Sequence, residues 1–588
     1  MCGIAGLMRR EGQPPDPAVL ARLAGALAHR GPDGSGTHIE ADTGLVQTRL
    51  AIIDLATGDQ PFYGPGRLAL VANGEVYNYQ ALREALGPER FRTRSDCEPP
   101  LALYADEGEA GLDRLRGMYA LALHDAARGR LLLARDPFGI KPLYYAEGAH
   151  GLAFASEPQA LIDAGLASRT LISEKAVELL QLQFTTGRQT IYRDICRVLP
   201  GETLVAQGGR IVSRRRRPAL PAGAPEPWDE AEALSRLEQA LRESVRLHLQ
   251  SDVGYGLFLS GGIDSSLLLA LMAAESGRPV QAYTAGFPGT GVHDERAQAA
   301  AFAAECGAVH REVTFGEADF WTLLPQAAAA LDDPAADYAT LPTFKLASVA
   351  AQEQKVVLSG EGGDELFAGY GRYRKALRPW WRGGRALRSR GALDRSGVLR
   401  LADGSWRTGV GEAEAAALAG NAGRSRLQVA QAADCADWLP NDLLIKLDRC
   451  LMAHGLEGRT PYLDPQVAGV AFRLPDGLKV RGRTGKWLQR KLLQQYFPRF
   501  DAFAPKRGFT VPVAEWIRAR DPVLASLVAS QPGIAELCYP GKVQAVFAAG
   551  GKHAGQAAWS LLFYALWHHI HALGRAPGPT PEETLGQR

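Results

Sequence analysis

Long hydrophobic runs, paired cysteines and an excess of charge of one sign are all missing from this sequence of 588 residues. No apolar run is long enough to span a bilayer, so the sequence does not predict a membrane protein. Its seven cysteines form no C-x-x-C pair, which argues against a zinc ribbon and against a disulfide framework. A formal net charge of +2 provides no global field that would attract nucleic acid. We therefore expect a cytoplasmic protein with neither nucleic-acid nor membrane partners.

The composition that is present is that of an ordinary globular protein. Hydrophobic residues make up 46% of the chain and charged residues 22%, which excludes a disordered or fibrous class. The length exceeds the size at which a single core stops growing, so two or more domains are expected. The one basic run, 214–217, has no interleaved aromatic residues, and we interpret it as a solvated strand end rather than a nucleic-acid site.

The pattern of predicted secondary structure changes at a proline-rich segment near residue 220. Residues 1–212 contain short β-like runs separated by turn residues and predict an α+β domain. Residues 213–230 are predicted to form a linker because they contain repeated prolines. Residues 231–576 are predicted to form the second domain, and 577–588 a disordered tail.

The second domain alternates helical and strand-like segments, a pattern typical of a parallel sheet covered by helices. Asp229 is a candidate N-cap for its first helix. We interpret the Arg- and Gly-rich segment 371–407 as an exposed insertion. The predicted strands are Gly256 to Leu259, Val280 to Phe287, Arg311 to Phe315 and Lys355 to Leu358, and the predicted helices between them include Leu267 to Ala274 and Glu295 to Glu305.

The second residue of the chain is a cysteine. Removal of Met1 would make Cys2 the free N-terminus, so its thiol could be a nucleophile and its α-amine, with a pKa of about 7.7 to 8.0, the base. Position alone does not decide this, because a free cysteine is more often a small buried core residue. Cys2 is therefore a candidate nucleophile whose role depends on the rest of the chain.

A first glycine-rich loop follows the strand that ends at Leu259. In Ser260-Gly261-Gly262-Ile263-Asp264-Ser265, two glycines let backbone N–H groups approach an anion, and the next helix adds its positive end. Asp264 beside a phosphate would serve as an Mg²⁺ ligand. The loop lacks the lysine of a Walker motif and resembles the pyrophosphate-binding loop of enzymes that split ATP into AMP and pyrophosphate.

A second such loop, Ser359-Gly360-Glu361-Gly362-Gly363-Asp364, follows the strand that ends at Leu358. Ligands of parallel sheets bind outside the carboxyl ends of the strands, so this loop should lie beside the first. Asp364 is a candidate second Mg²⁺ ligand, which leaves Glu361 free for another role. The alternative is a solvated acidic turn.

With these motifs in place, the chain resembles the glutamine-dependent asparagine synthetase family over nearly its whole length. The resemblance implies an N-terminal class II glutamine amidotransferase domain of the Ntn-hydrolase αββα type, followed by an α/β ATP-pyrophosphatase-type domain. The motifs that carry it are Met1-Cys2-Gly3-Ile4, Ala28-His29-Arg30-Gly31-Pro32-Asp33, Arg49 to Asp54, Asn73-Gly74-Glu75-Val76-Tyr77-Asn78, Ser95-Asp96-Cys97-Glu98, Arg135 to Tyr145, the two glycine-rich loops and Pro505-Lys506-Arg507-Gly508-Phe509.

The resemblance implies roles in glutamine hydrolysis for the N-terminal motifs. Cys2 would attack the side-chain amide, and Asn73 with the backbone N–H of Gly74 would form the oxyanion hole. Arg49 would pair with the α-carboxylate of glutamine, while Glu75 and Asp96 would hold its α-ammonium. The glutamine-binding residues implied in full are Arg49, Leu50, Ala51, Ile52, Ile53, Asn73, Gly74, Glu75 and Asp96.

The resemblance also implies the roles of the second domain, with ATP as substrate and Mg²⁺ held by Asp264 and Asp364. Glu361 would assist formation of an acyl-adenylate, and Lys506 would stabilise charge at the reacting phosphate. The ATP-binding residues implied are Leu259, Ser260, Gly261, Gly262, Asp264, Ser265, Ala285, Ser359 and Gly360.

The reaction implied is synthesis of asparagine from aspartate, ATP and glutamine through a Cys2 thioester and β-aspartyl-AMP. Ammonia would pass between the domains, with Arg30 and Met118 as candidate lining residues, and the family suggests a homodimer. Related enzymes use another carboxylate acceptor, and Gly458 and Thr460 replace aliphatic residues usual beside Arg459, so this alternative stays open. A cyclising relative that forms a β-lactam is disfavoured by the presence of Cys2. A non-catalytic amino-acid sensor or scaffold is the alternative from another class.

Overall fold

The structure, a computed structural model, describes residues 2–291, 294–378, 381, 387–394, 396–401, 404–419, 423–504, 511–520 and 522–587. The strands are β1 (Gly3–Arg9), β2 (Gly34–Glu40), β3 (Thr43–Arg49), β4 (Phe62–Gly64), β5 (Leu68–Val76), β6 (Gly117–Asp125), β7 (Arg130–Arg135), β8 (Tyr144–Gly148), β9 (Gly151–Ala155), β10 (Cys196–Arg197), β11 (Glu202–Gln207), β12 (Arg210–Arg216), β13 (Tyr255–Phe258), β14 (Gln281–Gly286), β15 (Val309–Thr314), β16 (Val356–Leu358), β17 (Glu457–Arg459), β18 (Val480–Arg481) and β19 (Thr484–Gly485).

The helices occupy both domains and dominate the second. They are α1 (Pro17–Ala26), α2 (Tyr79–Leu86), α3 (Pro99–Glu107), α4 (Pro158–Asp163), α5 (Ser173–Leu182), α6 (Glu230–His248), α7 (Ile263–Glu275), α8 (Arg296–Glu305), α9 (Glu317–Ala330), α10 (Thr340–Ala350), α11 (Gly363–Leu366), α12 (Gly371–Ala376), α13 (Thr408–Leu418), α14 (Arg426–Ala433), α15 (Leu444–Met452), α16 (Pro465–Arg473), α17 (Asp476–Lys479), α18 (Trp487–Tyr496), α19 (Val513–Ala519), α20 (Pro522–Ser530), α21 (Pro532–Leu537), α22 (Pro540–Ala548), α23 (Lys552–Trp567) and α24 (Pro581–Leu585). None of them, within the described residues, has the length and apolarity needed to cross a bilayer.

The N-terminal domain is a sandwich of two antiparallel sheets. One has the strand order β10-β8-β9-β1-β3-β2 and the other β12-β11-β7-β6-β5-β4. Ile4 and Phe154 of the first sheet pack against Val71 and Ala120 of the second. Helix α1 covers the outer face of the first sheet, and α2 and α3 lie against the second. This is the αββα arrangement that the family resemblance implies, so the expected fold class is confirmed.

The second domain contains a parallel sheet with the order β15-β14-β13-β16-β17. Because β13 and β16 are hydrogen-bonded neighbours, with Leu257 opposite Leu358, the loops that follow them lie side by side. Helix α6 begins as predicted, with the Asp229 carboxylate accepting a hydrogen bond from the backbone N–H of Glu232. The predicted parallel α/β domain is confirmed.

Three expectations about the connecting segments are wrong. Strand β12 continues to Arg216, so the coil between the domains is shorter than the predicted linker. The predicted disordered tail forms α24, because Thr580 caps it and Pro581 and Leu585 are buried. The segment 371–407 is not simply exposed: Arg372 forms an ion pair with Asp434 at 2.9 Å, and the described residues Leu387, Leu393 and Val398 are buried.

Candidate active sites

Cys2 lies directly before β1, where the first sheet meets β5 of the second. Its backbone N–H donates a hydrogen bond to Asn73 Oδ1 at 3.1 Å. The Asn73 side-chain amide nitrogen is buried and has no hydrogen-bond partner among the described residues. That donor is therefore free to bind an oxygen atom beside the thiol. Burial raises the pKa of the Cys2 thiol, whereas a hydrogen bond from the Leu50 backbone favours the thiolate.

Gly74 is required by the close approach of β5 and β6. A Cβ atom at this position would lie 2.1 Å from the carbonyl oxygen of Met118, far inside contact distance. Any side chain would push the two strands apart next to Asn73. In the motif Asn73-Gly74, Asn73 therefore provides an unpaired amide donor, and Gly74 allows the β6 backbone to approach β5 closely.

Two buried carboxylates, Glu75 and Asp96, lie beside the candidate nucleophile. Burial raises the pKa of both, and the negative charge of Asp96 raises that of Glu75 further. Asp96 accepts a hydrogen bond from the Val76 backbone at 2.7 Å. Glu75 lies 3.3 Å from the guanidinium of Arg459, which belongs to β17 of the other domain. Glu75 Oε2 is buried and has no hydrogen-bond partner among the described residues, so it can accept a hydrogen bond from an ammonium group. Sequence reasoning missed the link between Glu75 and Arg459.

Arg49 ends β3 on the rim of the same site. Its guanidinium lies 2.8 Å from the Asp59 carboxylate and donates to the Asp54 carbonyl at 2.5 Å. The Asp59 side chain is 81% exposed, so the ion pair is weak and the carboxylate of a ligand could replace Asp59 as the partner of Arg49. The following segment lines the rim with Leu50 and Ile52 buried and Ala51 and Ile53 partly exposed.

Arg30 lies fully buried at the interface between the two domains. Its Nε donates to the carbonyl oxygen of Cys2 at 3.2 Å, and its two terminal nitrogens donate to Asp448 of α15 at 2.8 and 3.0 Å. A further hydrogen bond of 2.7 Å reaches Glu157, which also lies 3.2 Å from His29. Met118, on β6, is also fully buried. The sequence gives no signal that Asp448 is the partner of Arg30.

The first glycine-rich loop connects β13 to the N-terminus of α7. The Ser260 backbone N–H donates to Ser265 Oγ at 3.1 Å, and the Gly262 N–H donates to Ser260 Oγ at 3.3 Å. Gly261 has a φ of +67°, which favours glycine. The loop therefore curls over the helix N-terminus, with serine hydroxyls and backbone N–H groups gathered at its positive end.

The second loop contacts the first directly. A Cβ atom at Gly363 would lie 2.5 Å from Asp264 Oδ1, and one at Gly360 would lie 3.0 Å from Asp264 Cβ. The buried Lys486, just before α18, forms ion pairs with both Asp264 and Asp364, the second at 2.6 Å. Two carboxylates from separate loops thus converge on one cation, and their oxygen donors fit Mg²⁺. Lys486 is a further site residue that the sequence analysis did not identify.

The remaining predicted residues surround these loops. Leu259 and Ala285 are buried at the ends of β13 and β14, and the Ser359 backbone N–H donates to the Arg459 carbonyl at 2.9 Å. Burial raises the pKa of Glu361, and Lys446, 3.7 Å away, opposes that rise. Lys446 also pairs with Asp337 at 2.9 Å. Lys506 lies outside the described residues.

Both halves of the chain are similar to known families. Residues 1–216 match the glutamine amidotransferase domain family, and residues 236–569 match the asparagine synthase family. The chain is 30% identical to asparagine synthetase 1 (glutamine-hydrolyzing) of Bacillus subtilis, over 97% of each chain. It is 30% identical to asparagine synthetase B (glutamine-hydrolyzing) of Escherichia coli, over 87% of this chain and 82% of that protein. The two matches cover both candidate sites.

Proposed function

The chain belongs to the glutamine-hydrolysing asparagine synthetase family, a family of carbon–nitrogen ligases, and we propose that its own acceptor is aspartate. Glutamine would supply the nitrogen and ATP the activation. The similarity to asparagine synthetases supports aspartate as the acceptor, and the presence of both half-sites in one chain supports the coupling to glutamine. The Cys2 backbone N–H donates to Asn73, whose side-chain amide nitrogen has no partner among the described residues, and the loops that hold Asp264 and Asp364 meet in the adjoining domain.

In the glutaminase half-reaction, the Cys2 sulfur attacks the side-chain carbonyl carbon of glutamine. The developing oxyanion accepts hydrogen bonds from the Asn73 side chain and the Gly74 backbone, the type of contact worth about 3 kcal/mol per donor in a protease. Arg49 pairs with the α-carboxylate, and Glu75 with Asp96 holds the α-ammonium. Ammonia leaves, and water then cleaves the thioester to release glutamate.

In the synthetase half-reaction, a β-carboxylate oxygen of aspartate attacks the α-phosphorus of ATP and displaces pyrophosphate. Ammonia then attacks the acyl carbon, AMP leaves and asparagine forms. Ser260, Gly261, Gly262 and Ser265 bind the phosphates, with Leu259, Ala285, Ser359 and Gly360 along the nucleotide, and Glu361 and Lys506 assist at the reacting centre. Asp264 and Asp364 would hold Mg²⁺, which would offset phosphate charge.

The two half-reactions need ammonia to cross the domain interface. We place its passage beside Arg30 and Met118, because both are fully buried and Arg30 contacts the Cys2 carbonyl and Asp448 together. A buried passage would keep ammonia from being protonated in bulk water.

One assay tests the proposed acceptor. The chain is incubated with glutamine, Mg²⁺-ATP and aspartate, and glutamate, pyrophosphate and asparagine are measured. Equal production of all three, with pyrophosphate dependent on aspartate, is expected. Pyrophosphate release without aspartate would indicate a different carboxylate acceptor, and no release with any acid would indicate a sensor or scaffold.

A further inference from the structure

Two histidines and a glutamate meet at one end of the N-terminal sandwich. His38 and Glu40 lie on the edge strand β2, two residues apart and hence on one face, and His124 lies on β6 of the opposite sheet. His38 Nε2 is 3.4 Å from His124 Nδ1 and 3.7 Å from Glu40 Oε2. All three ligand atoms lie within 4.8 Å of one another, and no other group of this kind occurs in the described part of the chain. We call these three residues the His38 cluster.

The spacing of the cluster is that of a metal site. Tetrahedral Zn²⁺ with bonds of about 2.0 to 2.1 Å separates its ligand atoms by about 3.3 to 3.4 Å, close to the two distances from His38 Nε2. Only small movements are needed to bring the third ligand into place. Two imidazoles and one carboxylate are also a donor set that zinc accepts.

Neighbouring side chains hold two of the ligands in place. Arg67 forms an ion pair with Glu40 Oε1 at 2.6 Å, which directs Oε2 toward His38. The Tyr63 ring meets the edge of His38 at a centroid distance of 5.6 Å and shields it.

The cluster is separate from the glutaminase site. On β6, Ala120 is paired with Asn73, whereas His124 is four residues further along and is paired with Ala69. Four residues of extended strand span about 14 Å, so the cluster does not contact the reacting groups. Ala120 and Ala122 pack between the sheets. His124 lies on the same face of β6, at the end of the sandwich.

We propose that His38 Nε2, His124 Nδ1 and Glu40 Oε2 bind one Zn²⁺ ion that joins the ends of the two sheets of the glutaminase domain. Three protein ligands leave a fourth position for water. The ion connects the edge strand β2 to β6, so its role is structural. It adds a link between the sheets to the contacts of His38 with His124 and Tyr63 and of Glu40 with Arg67.

Titration of the full-length chain with metal tests the proposal. The chelator-treated protein is titrated with Zn²⁺ by calorimetry, and with Co²⁺ to read ligand type from the absorption spectrum. We expect one site, tetrahedral Co²⁺ bands without thiolate charge transfer, and a higher melting temperature with Zn²⁺. Thiolate charge transfer at the only tight site would place the metal on a cysteine and overturn the proposal.

Ligand variants with a matched control complete the test. His38→Gln and Glu40→Gln should each weaken Zn²⁺ binding by more than the 10- to 100-fold that outer-shell changes typically cost. His150→Gln alters a half-buried histidine of the same domain outside the cluster and should leave binding unchanged. If His38→Gln fails to fold, Glu40→Gln decides alone. Wild-type affinity in both ligand variants, or no zinc binding in the wild type, would show that the contact is only an imidazole hydrogen bond.

Discussion

The guanidinium of Arg30 forms two hydrogen bonds, of 2.8 and 3.0 Å, with the carboxylate of Asp448 across the domain interface. The same side chain donates to the carbonyl oxygen of Cys2, so one residue contacts both the candidate nucleophile and the second domain. Bidentate arginine–carboxylate pairs fix the relative orientation of the two side chains in addition to pairing their charges. Arg30 therefore ties the position of Cys2 to the placement of α15.

We predict that Asp448→Asn uncouples the two half-reactions. The substitution removes one anionic partner of a fully buried arginine, a change that is strongly destabilising locally. Glutamate should then be produced in excess over asparagine, with the ratio of the two measured in the same reaction. Asp113→Asn, which removes an exposed partner of Arg215, serves as the control and should keep the ratio at one. A ratio of one in Asp448→Asn would contradict the prediction.

The same pair predicts an acid-sensitive contribution to stability. Although burial favours the neutral acid, Arg30 holds the pKa of Asp448 below its ordinary value of about 3.9. A lowered folded-state pKa stabilises the fold fully above the ordinary pKa, and this stabilisation is lost as the pH falls through the folded value. The melting temperature of Asp448→Asn should thus lie below that of the wild type near pH 6, and the gap should narrow below about pH 4. A gap that widens toward acid would refute this assignment.

Gly74→Ala should remove glutaminase activity and spare synthesis from ammonium. Its Cβ atom would collide with the Met118 carbonyl oxygen and displace the β5 backbone beside Asn73. Loss of one oxyanion donor typically costs about 100- to 1,000-fold in kcat. Glutamate release and ammonium-dependent asparagine formation are measured on the same preparation. Equal loss of both activities would mean that the fold, rather than the oxyanion hole, had failed.

Lys486→Met should lower the synthetase activity and spare the glutaminase activity. Removing the ammonium group leaves Asp264 and Asp364 facing each other without their shared cation, at the site where the phosphates are proposed to bind. Pyrophosphate release should fall at least tenfold with either nitrogen donor, while glutaminase activity persists. Lys491→Met, on the exposed side of α18, is the matched control and should retain both activities. Normal pyrophosphate release in Lys486→Met would exclude the lysine from the site.

Local sequence signals predicted much of the fold. Asp229 caps α6, the four predicted strands match β13, β14, β15 and β16 within a few residues, and the two glycine-rich loops meet as expected. These features depend on short-range propensity and on the rule that neighbouring parallel strands end at one edge. The prediction of a disordered tail was wrong because the order of this segment depends on the burial of Leu585, a contact that composition does not encode.

Long-range pairing could not be predicted in the same way. Arg459 reaches Glu75, Lys486 reaches Asp264, and Asp448 reaches Arg30 across gaps of hundreds of residues. Nothing in the spacing of a single sequence identifies such partners. The motifs therefore predicted the family and the adjacency of the two glycine-rich loops, whereas the residues that connect the two domains required the structure.

Replacement of Cys2 by alanine tests the central claim most directly, that one chain makes ammonia at Cys2 and uses it at the ATP site. Asparagine formation is measured with glutamine and, separately, with ammonium as the nitrogen donor, alongside Cys196→Ala as a control in the same domain. We predict that Cys2→Ala abolishes synthesis from glutamine and leaves synthesis from ammonium largely intact. Loss of both activities, or retention of the glutamine-dependent activity, would contradict the account.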